Sequence, residues 1–288
     1  MSKLKTLNPA AFAVVILAIC GNVAIAQSYE KYSDAIREAN KHLRSRAYAK
    51  AEAPLEAALD LAPSEREKTR VYRSLMSCYR LHEEPAKMIE AAEYVIANSE
   101  ESVSRSLIAT SLNSFLHQRG KLGGMIEQYK KELQKDADSL VALTILSKID
   151  RVDRSRKEEA RDFRARLAKV EQKLAAKLAE KDEKAAKDDA RRASYHLKEA
   201  ARHWLQAGEK EKAVAVAKKA IGMGPDKRTA ILTYYWHDSI GSTLLEAGEP
   251  EMAQTQFAAA LKAATIDGHK KSATEKLEKA KAQREGSK

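Results

Sequence analysis

The sequence predicts an all-α protein, and three observations support that prediction. Glycine (11 of 288 residues) and proline (6) are scarce, whereas their average usage is about 7% and 5%. Aromatic residues make up only 6% of the chain and charged residues 32%, while a β-sandwich needs frequent turns and many aromatic or β-branched residues. Apolar residues also recur at spacings of three and four, which is the period of an amphipathic helix.

The first 26 residues are typical of a secretory signal peptide. Lys3 and Lys5 give a positive start, and the apolar run 10–19 is too short to span a bilayer, which takes about 20 residues. The small residues of the segment 24–26 then offer a cleavage site. We expect an exported, periplasmic chain of residues 27–288, whose net charge falls from +11 to +9 because two lysines are removed. An uncleaved N-terminal membrane anchor is the alternative.

A short helix-forming pattern recurs along the rest of the chain. In the segments 48–63 and 208–225, an alanine is followed by a second alanine seven residues later and by a proline twelve residues later. A third copy occupies 248–261. Taking the residue that opens the second helix of each pair as an anchor, successive anchors are 37, 37, 35, 53 and 40 residues apart. The anchors are Ala51, Met88, Met125, Ala160, Ala213 and Ala253.

This pattern resembles the tetratricopeptide repeat, whose period is about 34 residues. The family has a small residue twelve before the anchor, and Ala39, Ala201 and Gly241 match it, whereas Met76, Asn113 and Lys148 depart from it. The family's turn glycine, five before the anchor, is present as Gly120, Gly208 and Gly248. The resemblance implies a solenoid of helix–turn–helix pairs with a concave face, because one pair cannot bury its apolar side alone.

The interval of 53 residues indicates an insertion. Residues 151–192 contain 15 Lys or Arg and 10 Asp or Glu, and a narrow apolar stripe predicts a helix that extends to about residue 185. We therefore expect this order: signal peptide 1–26, N-terminal repeat block 27–167, charged helix or linker 168–188, C-terminal repeat pair 189–265 and basic capping helix 266–288.

The sequence offers little that is typical of an enzyme or a metal site. His237, Asp238 and Ser239 are the residue types of a hydrolase triad, but consecutive residues of one helix point in different directions. Cys78 is the one cysteine of 27–288, so it forms neither an internal disulfide nor a cysteine cluster, and its helical pattern indicates a buried packing thiol. We predict no catalytic residues, no metal and no cofactor.

The candidate partner-binding residues follow from the resemblance, because first helices line the groove in this family. The second unit offers one basic face, and the fifth and sixth units add aromatic and basic residues. An alternative is that these are ordinary solvated charges. The candidates are Arg70, Arg73, Arg80, Tyr195, Lys198, Arg202 and Tyr235.

Two functions fit these features. The first is a non-catalytic exported scaffold that binds a protein or peptide through the groove, for example an acidic one, since arginine forks suit carboxylates. The second is electrostatic adhesion to an anionic envelope polymer or a membrane surface through the charged helix and the basic tail. Membrane contact is expected to be peripheral at most. Nucleic acid is a poor candidate because the basic segment lacks interleaved aromatic residues.

Overall fold

The computed structural model describes residues 29–99, 102–179, 186–225 and 229–286. Within these ranges the chain forms thirteen α-helices and two 3₁₀ turns, with no residue in a strand. This confirms the prediction of an all-α protein. The predicted signal peptide lies outside the described residues. The chain divides into two compact units, one ending at Glu84 and the other beginning at Pro85.

The first unit contains three helices, α1 (Tyr32–Arg44), α2 (Tyr48–Asp60) and α3 (Glu65–Leu81). Helix α2 packs against both of the others. The Ser64 side chain caps α3 by accepting a hydrogen bond from the Glu67 backbone N–H at 3.3 Å. The first unit is thus one helix pair followed by the first helix of the next.

The second unit contains ten described helices. The first five are α4 (Pro85–Asn98), α5 (Ser102–Gln118), α6 (Leu122–Lys135), the short α7 (Leu140–Leu146) and α8 (Lys157–Ala179). The other five are α9 (Ala186–Gln206), α10 (Lys210–Met223), α11 (Ala230–Ala247), α12 (Pro250–Ala263) and α13 (Asp267–Glu285). Proline opens α4 and α12, where its missing N–H would be unpaired in any case.

The turn before the second helix has the same geometry in five of the repeat units. The residue five before the anchor has a positive φ in each: Arg46, Glu83, Gly120, Gly208 and Gly248. The next residue donates its backbone N–H to the carbonyl five positions back, as in Ala47 to His42 at 2.9 Å and Glu249 to Leu244 at 2.9 Å. This is the bond of a Schellman motif. The repeated turn supports the helix-pair register taken from the sequence.

The anchor positions are buried throughout the described chain. Ala51, Ala160, Ala213 and Ala253 have no exposed surface, and the two methionine anchors are at most 4% exposed. Sterics explain the small residue twelve before the anchor in the last unit. An added Cβ at Gly241 would lie 2.7 Å from the Phe257 ring. Close approach of α11 and α12 therefore requires glycine there.

The fourth repeat unit departs from the pattern. Its first helix, α7, has seven residues and is followed by the two 3₁₀ turns, Ile149–Arg151 and Arg154–Arg156. The long charged helix is present as α8, which is described as far as Ala179, and its predicted extension to about residue 185 falls outside the described residues. In the described residues, α8 packs along α9 within the second unit.

The basic tail forms α13 and packs against α12. Ala273 and Ala280 are buried, and Leu277 packs against the same core as Ala280. These are the few apolar positions of a helix that is otherwise polar. Helix α13 therefore covers the end of the last helix pair while its other sides face solvent.

Candidate functional site

The three predicted arginines of α3 lie on one exposed side of that helix. Arg70, Arg73 and Arg80 are exposed, whereas Leu75 is completely buried. Arg70 donates two hydrogen bonds to Glu67, of 2.9 and 3.1 Å. Because the Arg70 side chain is 62% exposed, such a pair contributes at most about 1 kcal/mol. The charge of Arg70 is therefore only weakly engaged within the protein.

The predicted residues of α9 are close together, but they do not form an open basic surface. Lys198 is only 4% exposed, which differs from the groove-lining role that the sequence suggests. Its ammonium lies 4.0 Å from the centroid of the Tyr195 ring and 2.8 Å from a carboxylate oxygen of Glu199. The charge of Lys198 is thus neutralised inside the protein. Arg202 is partly exposed and pairs with Glu199 at 2.5 Å.

Tyr235 is 52% exposed on α11. Its hydroxyl lies 3.2 Å from Nε2 of His269, which comes from α13, and the His269 ring stacks on Tyr234 at a centroid distance of 4.1 Å. Tyr235 therefore contacts α13 and helps to hold that helix in place. The α3 arginines belong to the first unit, and the other candidates belong to the second.

The second unit contains a cluster of buried charged or titratable residues that the sequence did not predict. They come from α5, α8, α9 and the segment after α7, and each is at most 7% exposed. Burying a charge is costly unless it is paired and hydrogen-bonded. The members are Arg105, Lys148, Arg164, Glu171, Lys198, Glu199 and His203.

Glu171 lies at the centre of one group of these charges. One carboxylate oxygen accepts a hydrogen bond from Arg105 at 2.6 Å, and the other contacts Nδ1 of His196. A second nitrogen of Arg105 donates to the Ser99 carbonyl at 2.8 Å. The negative charge of Glu171 is therefore balanced by partners from α5 and α9.

The other carboxylates near the cluster are also paired. Glu199 contacts both Lys198 and Arg202, and Asp150 contacts Arg164. Burial raises the pKa of Glu199, but the positive charges of Arg202 and Lys198 outweigh burial and hold that pKa well below its usual value. Glu199 is therefore ionised.

Lys148 is the exception in this cluster. It is 4% exposed, and the carboxylate that acts on it, that of Glu199, is already paired with Lys198 and Arg202. Burial and the nearby charges of Arg202 and Arg164 lower the pKa of Lys148 to about 7. Burial and the positive charges around it likewise lower the pKa of His203 well below its usual value, so that imidazole is neutral.

The sequence did contain one sign of this cluster. Lys148 stands twelve before the Ala160 anchor, where the repeat has a small residue, and a lysine there must place its chain between packed helices. Arg105 and Glu171 gave no such sign, because they are 66 residues apart and only the fold brings them together.

The described part of the chain contains no group of three or more His, Cys, Asp or Glu side chains that could hold a metal. His237 contacts Gln256, and Asp238 binds Lys276, so the His-Asp-Ser sequence does not form a relay. Cys78 is fully buried, as predicted, and burial raises its pKa to about 11. Among the helices described here, none is both long and apolar enough to cross a bilayer.

Comparison with known proteins gives matches only among solved structures. No protein-family model and no curated protein matches the sequence. One similar structure is a tetratricopeptide repeat protein from Parabacteroides merdae, with 15% identity over 86% of this chain and 98% of that chain, at a TM-score of 0.29. Another is the TPR2AB domain of yeast Sti1 in its complex with pHSP90, with 16% identity over 87% of this chain and 98% of that chain, at a TM-score of 0.30.

Proposed function

We propose that this chain is a non-catalytic helical-repeat scaffold that is exported from the cell and binds an acidic segment of another protein. The observation that carries the proposal is the exposed side of α3. Arg70, Arg73 and Arg80 recur there at offsets of three, seven and ten, on the side opposite the buried Leu75. Guanidinium groups aligned on one helix face form forked hydrogen bonds with carboxylates.

The rest of the first unit supports this function. Helix α3 is fixed by its packing against α2 and by the Ser64 cap, so the arginines project from a rigid element rather than from a loop. The Tyr32 hydroxyl donates to Glu67 at 2.8 Å, and Glu67 in turn orients Arg70. A preorganised arginine loses less side-chain freedom on binding. Export to the periplasm, and a role in organising the cell envelope, rest on the signal-like segment 1–26.

The test uses residues 27–288 as bait in an extract of the host envelope, and the bound proteins are identified. The affinity of each for the purified bait is then measured. In the R70E/R73E/R80E variant we expect at least a tenfold loss of affinity, because three attractive charges become repulsive. The control is K218E/K219E/K262E, which changes the charge equally on exposed lysines of α10 and α12. A partner that binds both variants as well as the natural chain would disprove the α3 site.

Adhesion to an anionic surface is the second candidate, and the exposed basic residues of α13 favour it. Several of these charges are already paired within the protein, such as Lys276 with Asp238 and Lys281 with Glu278. Adhesion predicts binding to vesicles containing anionic lipid, or to an anionic polymer, that falls steeply with salt. Binding that survives high salt and depends on the α3 arginines would favour the scaffold instead.

A further inference from the structure

A small cavity lies within the second unit, between α5, α7, α8 and α9. Its empty volume is about 200 Å³, part of which is open to solvent. The enclosed part has room for about one water molecule. Most of the side chains around it are polar or charged. The lining residues are Arg105, Ser106, Thr144, Lys148, Leu167, Glu171, Arg202 and His203.

We propose that this cavity binds a small monovalent anion of the size of chloride. The first argument is charge. The two carboxylates nearest the cavity, Glu171 and Glu199, are each already paired with two basic groups. The charges that act on the buried Lys148 are those of Arg202, Arg164 and Arg151 against the single carboxylate of Glu199, so positive charge is in excess there. A bound anion would supply the charge that the chain itself does not.

The second argument is hydrogen bonding. The buried polar atoms on lining residues that have no hydrogen-bond partner within the described structure include Nε of Arg202, Oγ1 of Thr144 and Nδ1 of His203. Lys148, Thr144 and His203 are each more than nine-tenths buried. Unpaired buried donors cost about 1–3 kcal/mol each. One anion accepting from these donors would remove that cost at several atoms together.

The occupant follows from the size and the polarity of the cavity. A sulfate or phosphate carries four oxygens and exceeds the space, whereas a monatomic halide is the anion closest in size to the one water that the space admits. A cation is disfavoured because Lys148, Arg105 and Arg202 all line the cavity. Glu171 also lines it, but both of its oxygens are engaged with Arg105 and His196, which reduces its repulsion of an anion.

The test compares sodium chloride with sodium gluconate at constant ionic strength and pH 7, using residues 27–288. We expect chloride to raise the thermal unfolding midpoint by about 3 °C once its concentration is ten times its Kd. The effect should disappear in K148M and in K148Q, and it should persist in K219M, where an exposed lysine of α10 is replaced. An equal response of all four proteins would overturn the proposal.

A direct measurement keeps the proposal testable even if both Lys148 variants fail to fold. Crystals of the natural sequence grown in sodium bromide should show an anomalous peak inside the cavity, within hydrogen-bonding distance of the Lys148 ammonium. Density that refines as water, with no anomalous signal, would overturn it. Neither experiment depends on the α3 arginines, which lie in the other unit.

Discussion

At the scale of single residues, the repeated turn keeps a positive φ even in units where its residue is not glycine. Three of the turns have glycine at the positive-φ position, but Arg46 and Glu83 occupy it in the first two, each at φ 57°. A side chain in the left-handed region costs about 1–2 kcal/mol relative to the right-handed region. The two non-glycine turns are therefore the strained ones.

We predict that R46G stabilises the first unit by about 0.5–1 kcal/mol, because relief of the strain exceeds the extra entropy that glycine loses on folding. Urea unfolding measures the change. The matched control is G248A, which should destabilise by a similar amount, since Gly248 has φ 94° and open space around its Cα. If R46G lowers the stability, the turn is not strained at this residue.

At the scale of helix pairs, the small residue twelve before the anchor decides how closely two helices approach. Gly241 of α11 faces the Phe257 ring of α12, with no room for a methyl group. We predict that G241A costs about 1–3 kcal/mol, because the ring or the helix must move. Thermal or urea unfolding measures it.

The control for that substitution is G124A. Gly124 lies in the first turn of α6 with nothing near its Cα, so alanine there should stabilise by about 0.5–1 kcal/mol through helix propensity. A G241A protein as stable as G124A would show that the α11–α12 contact adapts without strain.

The same scale shows what could be read from the sequence. The starts of α4 and α12, the turn glycines and the buried anchors were predictable, because each depends on one residue type at one offset. The shortening of α7 to seven residues was not. The buried cluster joins Arg105 to Glu171 and His196 to Glu171 across separate helices, and no local pattern specifies such pairs.

At the scale of the whole molecule, the buried lysine should make stability depend on pH. Burial lowers the pKa of Lys148 to about 7 in the folded chain, whereas it is about 10.4 when unfolded. Between these values the unfolded chain binds more protons, so stability rises with pH, at up to about 1.4 kcal/mol per pH unit. The charged and titratable groups that face Lys148 are Arg105, Arg151, Arg164, Glu171, Glu199, Arg202 and His203.

We therefore predict that, in gluconate, the stability of the natural sequence rises relative to K148M between pH 7 and pH 9. Urea unfolding at pH 7, 8 and 9 measures the difference, and K219M should show none. Chloride should reduce the difference, because a bound anion stabilises the ammonium and raises its pKa. A constant gap between the two proteins across this range would show that Lys148 does not titrate there.

The buried Cys78 has a practical consequence for the first unit. It is the one thiol of residues 27–288, it is fully buried in α3, and burial raises its pKa, which keeps it protonated and slow to react. A thiol reagent can then modify Cys78 only when α3 transiently separates from its neighbours. The rate of labelling therefore measures how often the first unit opens locally. Cys78 thus reports local opening from the buried side of the helix whose exposed side bears the three arginines.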